Sequence, residues 1–205
     1  MIRWSLARLV IVGLLGTSAC APSGPSEAEL AAAAAREAEL AAASKARAER
    51  EVRLEAQRLA ALWSYQEATV SGGRQVTAAI RSTSNVETDG QSAHAVQLVF
   101  RDHAAWGRSS YLVLQAGDFD CSPRCTVVVT VDDGAPVRMA SRRPDTDEAI
   151  AMFINDAQAL WRLTAGATRL AIEFPVKAGG TRSASFDVAG LDDAKMPGWS
   201  SATGD

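Results

Sequence analysis

The chain has 205 residues, with 24 acidic against 21 basic side chains for a formal charge of -3, and hydrophobic residues make up 47% of it. That length allows one domain with extensions. The near-neutral balance weighs against a nucleic-acid binder, which needs a concentrated basic face, and the hydrophobic fraction weighs against a chain disordered throughout.

Residues 1–19 read as a signal peptide. Arg3 and Arg8 give a positive start, and Leu9–Leu15 (LVIVGLL) is an apolar run. That run is about half of the roughly 20 residues that a bilayer span requires. Thr17, Ser18 and Ala19 follow, then Cys20, and the ending LLGTSAC resembles a bacterial lipobox. The resemblance implies that Cys20 is acylated and becomes the mature N-terminus, so the partner at this end is a membrane, reached through acyl chains. The other reading is an ordinary signal peptide cleaved nearby, with Cys20 incidental. Ala21 stands where an aspartate would resemble an inner-membrane retention signal. The expected location is therefore the outer membrane facing the periplasm, with surface exposure as the alternative.

Residues 20–26 are a flexible leash, rich in Pro, Gly and Ser. Ser26 and Glu29 have the spacing of a capping box, the serine accepting from an amide while the glutamate reaches back. A spacer helix over 27–62 is expected next. It holds 15 of the chain's 40 alanines between Glu27 and Ala61, and that stretch has no Gly or Pro. Pairs such as Lys45–Glu49 and Arg47–Glu51 support it at i,i+4. Leu30, Leu40, Val52, Leu54, Leu59 and Leu62 are too sparse for a steady heptad seam. A solvated single helix is the first reading and self-association as a coiled coil the second. At about 1.5 Å per residue the helix reaches roughly 50 Å.

The period changes at Trp63, where a β-rich domain over 63–195 begins. Strands are predicted at 63–70, 75–83, 94–100, 110–115, 126–131, 137–140, 149–154, 168–174 and 183–188. A polar loop is expected over Ser84–Ser92, and Asp133–Gly134 marks a hairpin. Asn155 or Asp156 caps a short helix to about Thr164, with Ala157, Leu160 and Trp161 on one face and Gly166 ending it. The fold class is α+β: a long N-terminal helix, then a β-sandwich-like, mainly antiparallel domain with one short helix. Beyond Asp192 the chain is polar and expected to fray apart from Trp199, leaving 196–205 as a tail.

The stretch from Trp63 through TAAIRSTSN (Thr77–Asn85), the cysteine-flanked strand, the Asp–Gly hairpin and FDVAGLDDA (Phe186–Ala194) carry a resemblance. Together they are similar to the periplasmic domain of type VI secretion-associated VasI/TagO-like proteins and kindred bacterial lipoproteins. The resemblance spans most of the β-rich region and implies a fold more than a reaction.

Cys121 and Cys125 (CSPRC) are the only cysteines besides Cys20. In an oxidising compartment they are expected to pair and brace a tight loop. A redox centre is the sharper alternative, although the spacing is not C-x-x-C. Zinc would need two further ligands, and His94 and His103 have no zinc-site spacing. Asp102–His103 with Ser109 or Ser110 invites a triad, but neighbours on a strand face opposite ways. Asp118/Asp120 are a second carboxylate pair, and Asp132–Asp133–Gly134 reads as turn chemistry, with calcium as the alternative. The expectation is no catalytic residue, no metal and no cofactor. Of the tryptophans Trp63, Trp106, Trp161 and Trp199, only Trp106 is expected at the surface. With Arg142 and Arg143 it forms the candidate partner-binding set.

The function expected is a membrane-anchored envelope lipoprotein presenting a non-catalytic binding domain, as a secretion or envelope accessory or an immunity-type inhibitor. Its partner would be an envelope protein and not nucleic acid. The alternative is a cell-wall or glycan-active periplasmic enzyme using Asp102, His103 or the aspartate pairs. Substituting Cys20→Ser should abolish incorporation of labelled palmitate and move the protein out of the detergent phase; unchanged labelling would refute acylation at Cys20.

Overall fold

The computed structural model describes residues 24–122, 124–144 and 150–200. The expected signal peptide over 1–19 and Cys20 lie outside them. The chain divides into two compact units, Met1–Ala48 and Glu49–Asp205. In the first, the described residues are the end of the leash and the greater part of helix α1 (Glu27–Ala60). The second holds the last turns of α1 and everything that follows.

Helix α1 starts with the expected capping box. The Ser26 N–H donates to Glu29 Oε2 at 2.8 Å, and the Glu29 N–H donates back to Ser26 Oγ at 3.3 Å. No residue of α1 is buried, and Leu40 and Val52 are each 72% exposed. Its helicity therefore rests on alanine propensity and local ion pairs such as Arg58–Glu55 at 2.8 Å, not on a packed face. A 34-residue helix is well beyond the minimum of about 12–15 residues for stability in isolation. It stops at Ala60, two residues short of the expected Leu62.

Nine strands follow: β1 (Trp63–Val70), β2 (Gly73–Glu87), β3 (Ala93–His103), β4 (Gly107–Val113), β5 (Arg124–Val131), β6 (Val137–Arg142), β7 (Ala151–Ile154), β8 (Arg169–Pro175) and β9 (Thr181–Asp187). Helix α2 (Ala157–Thr164) lies between β7 and β8. Its N-cap is Asp156, whose carboxylate accepts from the Ala159 N–H at 2.8 Å. The α+β class with a mainly antiparallel β domain is as the sequence leads one to expect. The strands form one continuous antiparallel sheet in the order β1-β2-β3-β4-β7-β6-β5-β8-β9. Buried residues from all nine strands meet in a single cluster with Leu160 and Trp161 of α2. A flat sheet could not bring its outermost strands to one core, so this one curls. The distal half of β2 comes beside β9, where Thr83 Oγ1 donates to the Ser185 carbonyl at 3.2 Å and Arg182 Nε donates to the Glu87 carbonyl at 2.7 Å.

Two expectations need correction. The polar segment Ser84–Ser92 is not all loop, because β2 runs on to Glu87. A bulge between Arg81 and Asn85 absorbs the extra residues. There the Ser82 hydroxyl donates to the Ser84 carbonyl at 2.7 Å and accepts from the Val96 N–H at 3.0 Å, replacing ladder bonds that the bulge removes. Residues 201–205 lie outside the described ones, but between Asp193 and Ser200 the chain does not fray. It forms a 3-10 turn (Asp193–Lys195) and a short helix α3 (Pro197–Ser200), which drive Met196 and Trp199 into the core. Gly198 makes this possible, since a Cβ there would fall 1.9 Å from Asp102 Oδ2. Gly190 plays the same part at the end of α1. Its φ is +85°, and a Cβ would lie 2.8 Å from the Leu59 carbonyl oxygen.

At the β5–β6 hairpin Asp132 adopts a φ of 49°. Its carboxylate accepts from Thr168 Oγ1 at 2.5 Å and from the N–H groups of Thr168 and Arg169 at 3.1 and 2.8 Å. These bonds, the Thr168 hydroxyl foremost, hold the Asp132 carboxyl below its ordinary range.

Trp199→Ala should destabilise the domain by about 3–5 kcal/mol in urea titrations; a change within error would mean that the C-terminal segment does not complete the core. For Asp132 the folded value lies below the unfolded one. Its contribution is thus fully present above about pH 4 and drains away as pH falls through the lowered value. Asp132→Ala should therefore lower stability at neutral pH while narrowing the difference from the parent in acid, measured by thermal unfolding across pH.

Candidate functional site

Strand alternation divides the chemistry of β3. Val96, Leu98 and Phe100 point into the core, so Val99, Arg101 and His103 belong to the outward row. The register aligns Val99 with Tyr111 on β4, Tyr111 with Phe153 on β7, and Phe153 with Arg142 on β6. Four strands thus contribute one row of directly opposed side chains across the outer face. Neighbours on such a row touch, because opposed Cβ atoms lie only about 4.5–5.5 Å apart.

Arg101, two residues on from Val99 and opposite Ser109, lies on the same face and reaches across this row. Its guanidinium carbon lies 5.5 Å from the Trp106 ring, 5.6 Å from Tyr111 and 5.8 Å from Phe153. Its Nε donates to Ser109 Oγ at 3.0 Å. On the far side of Phe153, the Arg142 guanidinium lies 5.2 Å from the same ring. Tyr111 and Phe153 pack at 5.1 Å between ring centres. Each cation–π contact contributes roughly 0.5–1 kcal/mol at an exposed site, so their main effect here is to fix the arginines in place. Burial pushes the Tyr111 phenol up, against a smaller pull downward from Arg101.

Trp106 caps one end of the row and is 63% exposed. It is held from beneath by His103, stacked at 4.0 Å with 11° between ring planes. His103 is itself buried, and its Nδ1 accepts from the N–H groups of Ala105 and Trp106 at 3.1 and 3.2 Å. The imidazole thus supports the β3–β4 turn and orients the tryptophan.

The other chemistry-bearing residues do not assemble. The Asp102 carboxylate turns toward Gly198, on the opposite side of the strand from His103. Ser109 is taken by Arg101, and Ser110 faces the interior. His94 is exposed on β3. Asp118 and Asp120 are separated by the buried Phe119. Asp133 is an exposed partner of Arg169 at 3.1 Å. Among the described residues, no group of three or more His, Cys, Asp or Glu side chains is placed to hold a metal ion.

Arg142 and Arg143 part company. Arg142 joins Trp106 on the outer row, whereas Arg143 pairs with Asp118, which also binds Lys177 at 2.6 Å. That makes Arg143 part of a half-buried ion pair in a structural corner, and it is withdrawn from the partner-binding set. Cys121 and Cys125 brace the same corner, at disulfide distance with an S–S separation of 2.11 Å. Phe119 bridges to Val176 there, and the Asp120 N–H donates to the Pro175 carbonyl at 3.1 Å. Arg101, Tyr111 and Phe153, which complete the site, were not singled out by sequence. Only the strand order β4-β7-β6 makes them neighbours.

No family model, no curated protein and no solved structure matches this chain.

Proposed function

We propose that this is a lipid-anchored envelope protein whose β domain is a non-catalytic binding module for another envelope protein. The observation that carries the reading is the ordered row of Trp106, Arg101, Tyr111, Phe153 and Arg142 on the outer face of the sheet. Tryptophan, tyrosine and arginine dominate the binding energy of protein interfaces, because they bury much area at little entropic loss. The arginine here is already immobilised by rings and by Ser109, so less ordering remains to be done on association.

The lipobox-like ending at Cys20 supports the anchor, and Ala21 in place of aspartate supports the outer membrane, facing the periplasm. Among the described residues no helix is long and apolar enough to cross a membrane. The exposed helix α1, lying in sequence between the leash and the strands, suits a spacer, and self-association through it is the further form of the proposal. The sequence resemblance of TAAIRSTSN (Thr77–Asn85) and FDVAGLDDA (Phe186–Ala194) to VasI/TagO-like periplasmic domains supports a secretion accessory. An immunity-type inhibitor would use the same face.

A photoreactive benzoylphenylalanine placed at position 106 of the full chain, in intact cells, is expected to give discrete protein adducts. The same group at Thr181, at the far edge of the sheet, serves as the contrast. Absence of adducts from 106 and from other exposed positions of the domain would defeat the binding-module reading.

A further inference from the structure

We propose that the outward face of β3, β4, β7 and β6 docks an acidic protein segment, whose carboxylates pair with Arg101 and Arg142 on either side of Phe153. This rests on the binding-module reading above and deepens it by naming the chemistry of the partner.

Charge is distributed unevenly over the domain. Arg58, Arg74, Arg143, Arg169 and Arg182 are each answered by a carboxylate: Asp187, Glu67, Asp118, Asp133 and Glu87 respectively. The outer face is different. Along the outward positions of β3, β4, β7, β6 and β5 stand Arg101, Arg142, Arg138 and Arg124, and no aspartate or glutamate. Among the described residues none of these four has an ion-pair partner. Arg142 and Arg124 face each other directly in the ladder, like charges placed side by side, an arrangement that costs stability unless an anion lies between them. A chain that is acidic overall has gathered unanswered cations onto one face.

The geometry selects the kind of anion. Arg101 and Arg142 flank one ring at 5.8 and 5.2 Å, close enough for a single segment to reach both. Guanidinium groups held in this way offer planar, bidentate binding to carboxylates. The cavity on this face, lined by Ser109, Arg142, Phe153 and Ala157 among others, measures about 220 Å³. That is below the roughly 300 Å³ typical of small-molecule sites, so a flat macromolecular contact fits better than an enclosed ligand. A polyphosphate chain or an anionic membrane would be drawn by a broad basic field, and a net charge of -3 does not provide one.

The test uses the purified full chain and fluorescence anisotropy. The probe is a fluorescein-labelled peptide of alternating glutamate and leucine, with glutamine–leucine and lysine–leucine versions, phosphatidylglycerol vesicles and a single-stranded oligonucleotide as competing arms. The expected result is preferential binding of the glutamate peptide, weakened about tenfold or more by Arg142→Gln and again by added Arg124→Gln, and reduced by salt. Arg169→Gln, on β8, should leave binding unchanged. Arg142 and Arg124 are exposed, so an unfolding midpoint that does not fall separates lost binding from lost fold. Equal binding of the glutamate and glutamine peptides, insensitivity to Arg142→Gln, or tighter binding of vesicles or oligonucleotide would overturn the proposal. Each of these leaves the binding-module reading standing as long as position 106 still yields protein adducts in cells.

Discussion

Phe100 is the side chain on which the domain turns. It lies fully buried on β3, with its ring 6.2 Å from Trp63, 5.1 Å from Trp161 and 5.4 Å from Trp199. The last two meet it edge to face, the arrangement that the ring quadrupoles favour, worth about 0.5–1.5 kcal/mol per pair beyond burial. These partners come from β1, α2 and α3, far apart in the chain. One ring therefore fixes the start of the sheet, the helix inserted between β7 and β8, and the C-terminal segment. Trp161 and Trp199 also touch each other at 5.0 Å, so the cluster closes on itself and removing one member leaves a cavity that the others cannot fill.

The same anchor sets the outer face. A strand has a period of two, so burying Phe100 forces Val99 and Arg101 outward, and a slip of one residue would bury a guanidinium instead. The register across β4, β7 and β6 then follows from Leu112, Met152 and Ser141 pointing inward, which leaves Tyr111, Phe153 and Arg142 opposed to Val99 on the other side. Core packing and the make-up of the outer face are two readings of one alternation.

This is also why the sequence discloses the two unequally. The capping box, the strands and the Asp133–Gly134 hairpin depend on local patterns, and β1 occupies the expected Trp63–Val70. The bulge in β2 was hidden because Ser82, Ser84 and Asn85 are residues that loops also prefer; the ladder that resumes from Asn85–Ala95 to Glu87–Ala93, with the Val96 N–H donating to the Ser82 hydroxyl, reveals the strand. The end of the chain misled for a related reason. Trp199 stands out there as a packing residue, but the polar composition around it conceals Met196, three residues earlier and so on the same side of the turn. Trp106 was legible because a tryptophan in a polar turn has little else to pack on. Arg142 and Arg143 look equivalent in the sequence because they are adjacent, yet adjacency on an extended chain means opposite faces. The row itself was not legible, since β7 inserts between β4 and β6 and no local pattern announces a non-consecutive pairing.

The fates of those two arginines show how adjacent residues divide between a structural ion pair and the outer face. Arg143 meets a carboxylate that already receives Lys177, in the corner where Cys121 and Cys125 are bonded and Phe119 is buried; its charge is spent inside the molecule. Arg142, one position earlier, has an aromatic ring instead. A ring orients a guanidinium without neutralising it, so the charge stays available while the side chain loses the freedom that would otherwise be lost on binding. Because the chain as a whole is acidic, such a face exerts little pull beyond a Debye length of about 8–10 Å. On the proposed reading, recognition by this surface comes from contact made at short range, where ring, guanidinium and carboxylate meet, and not from long-range steering.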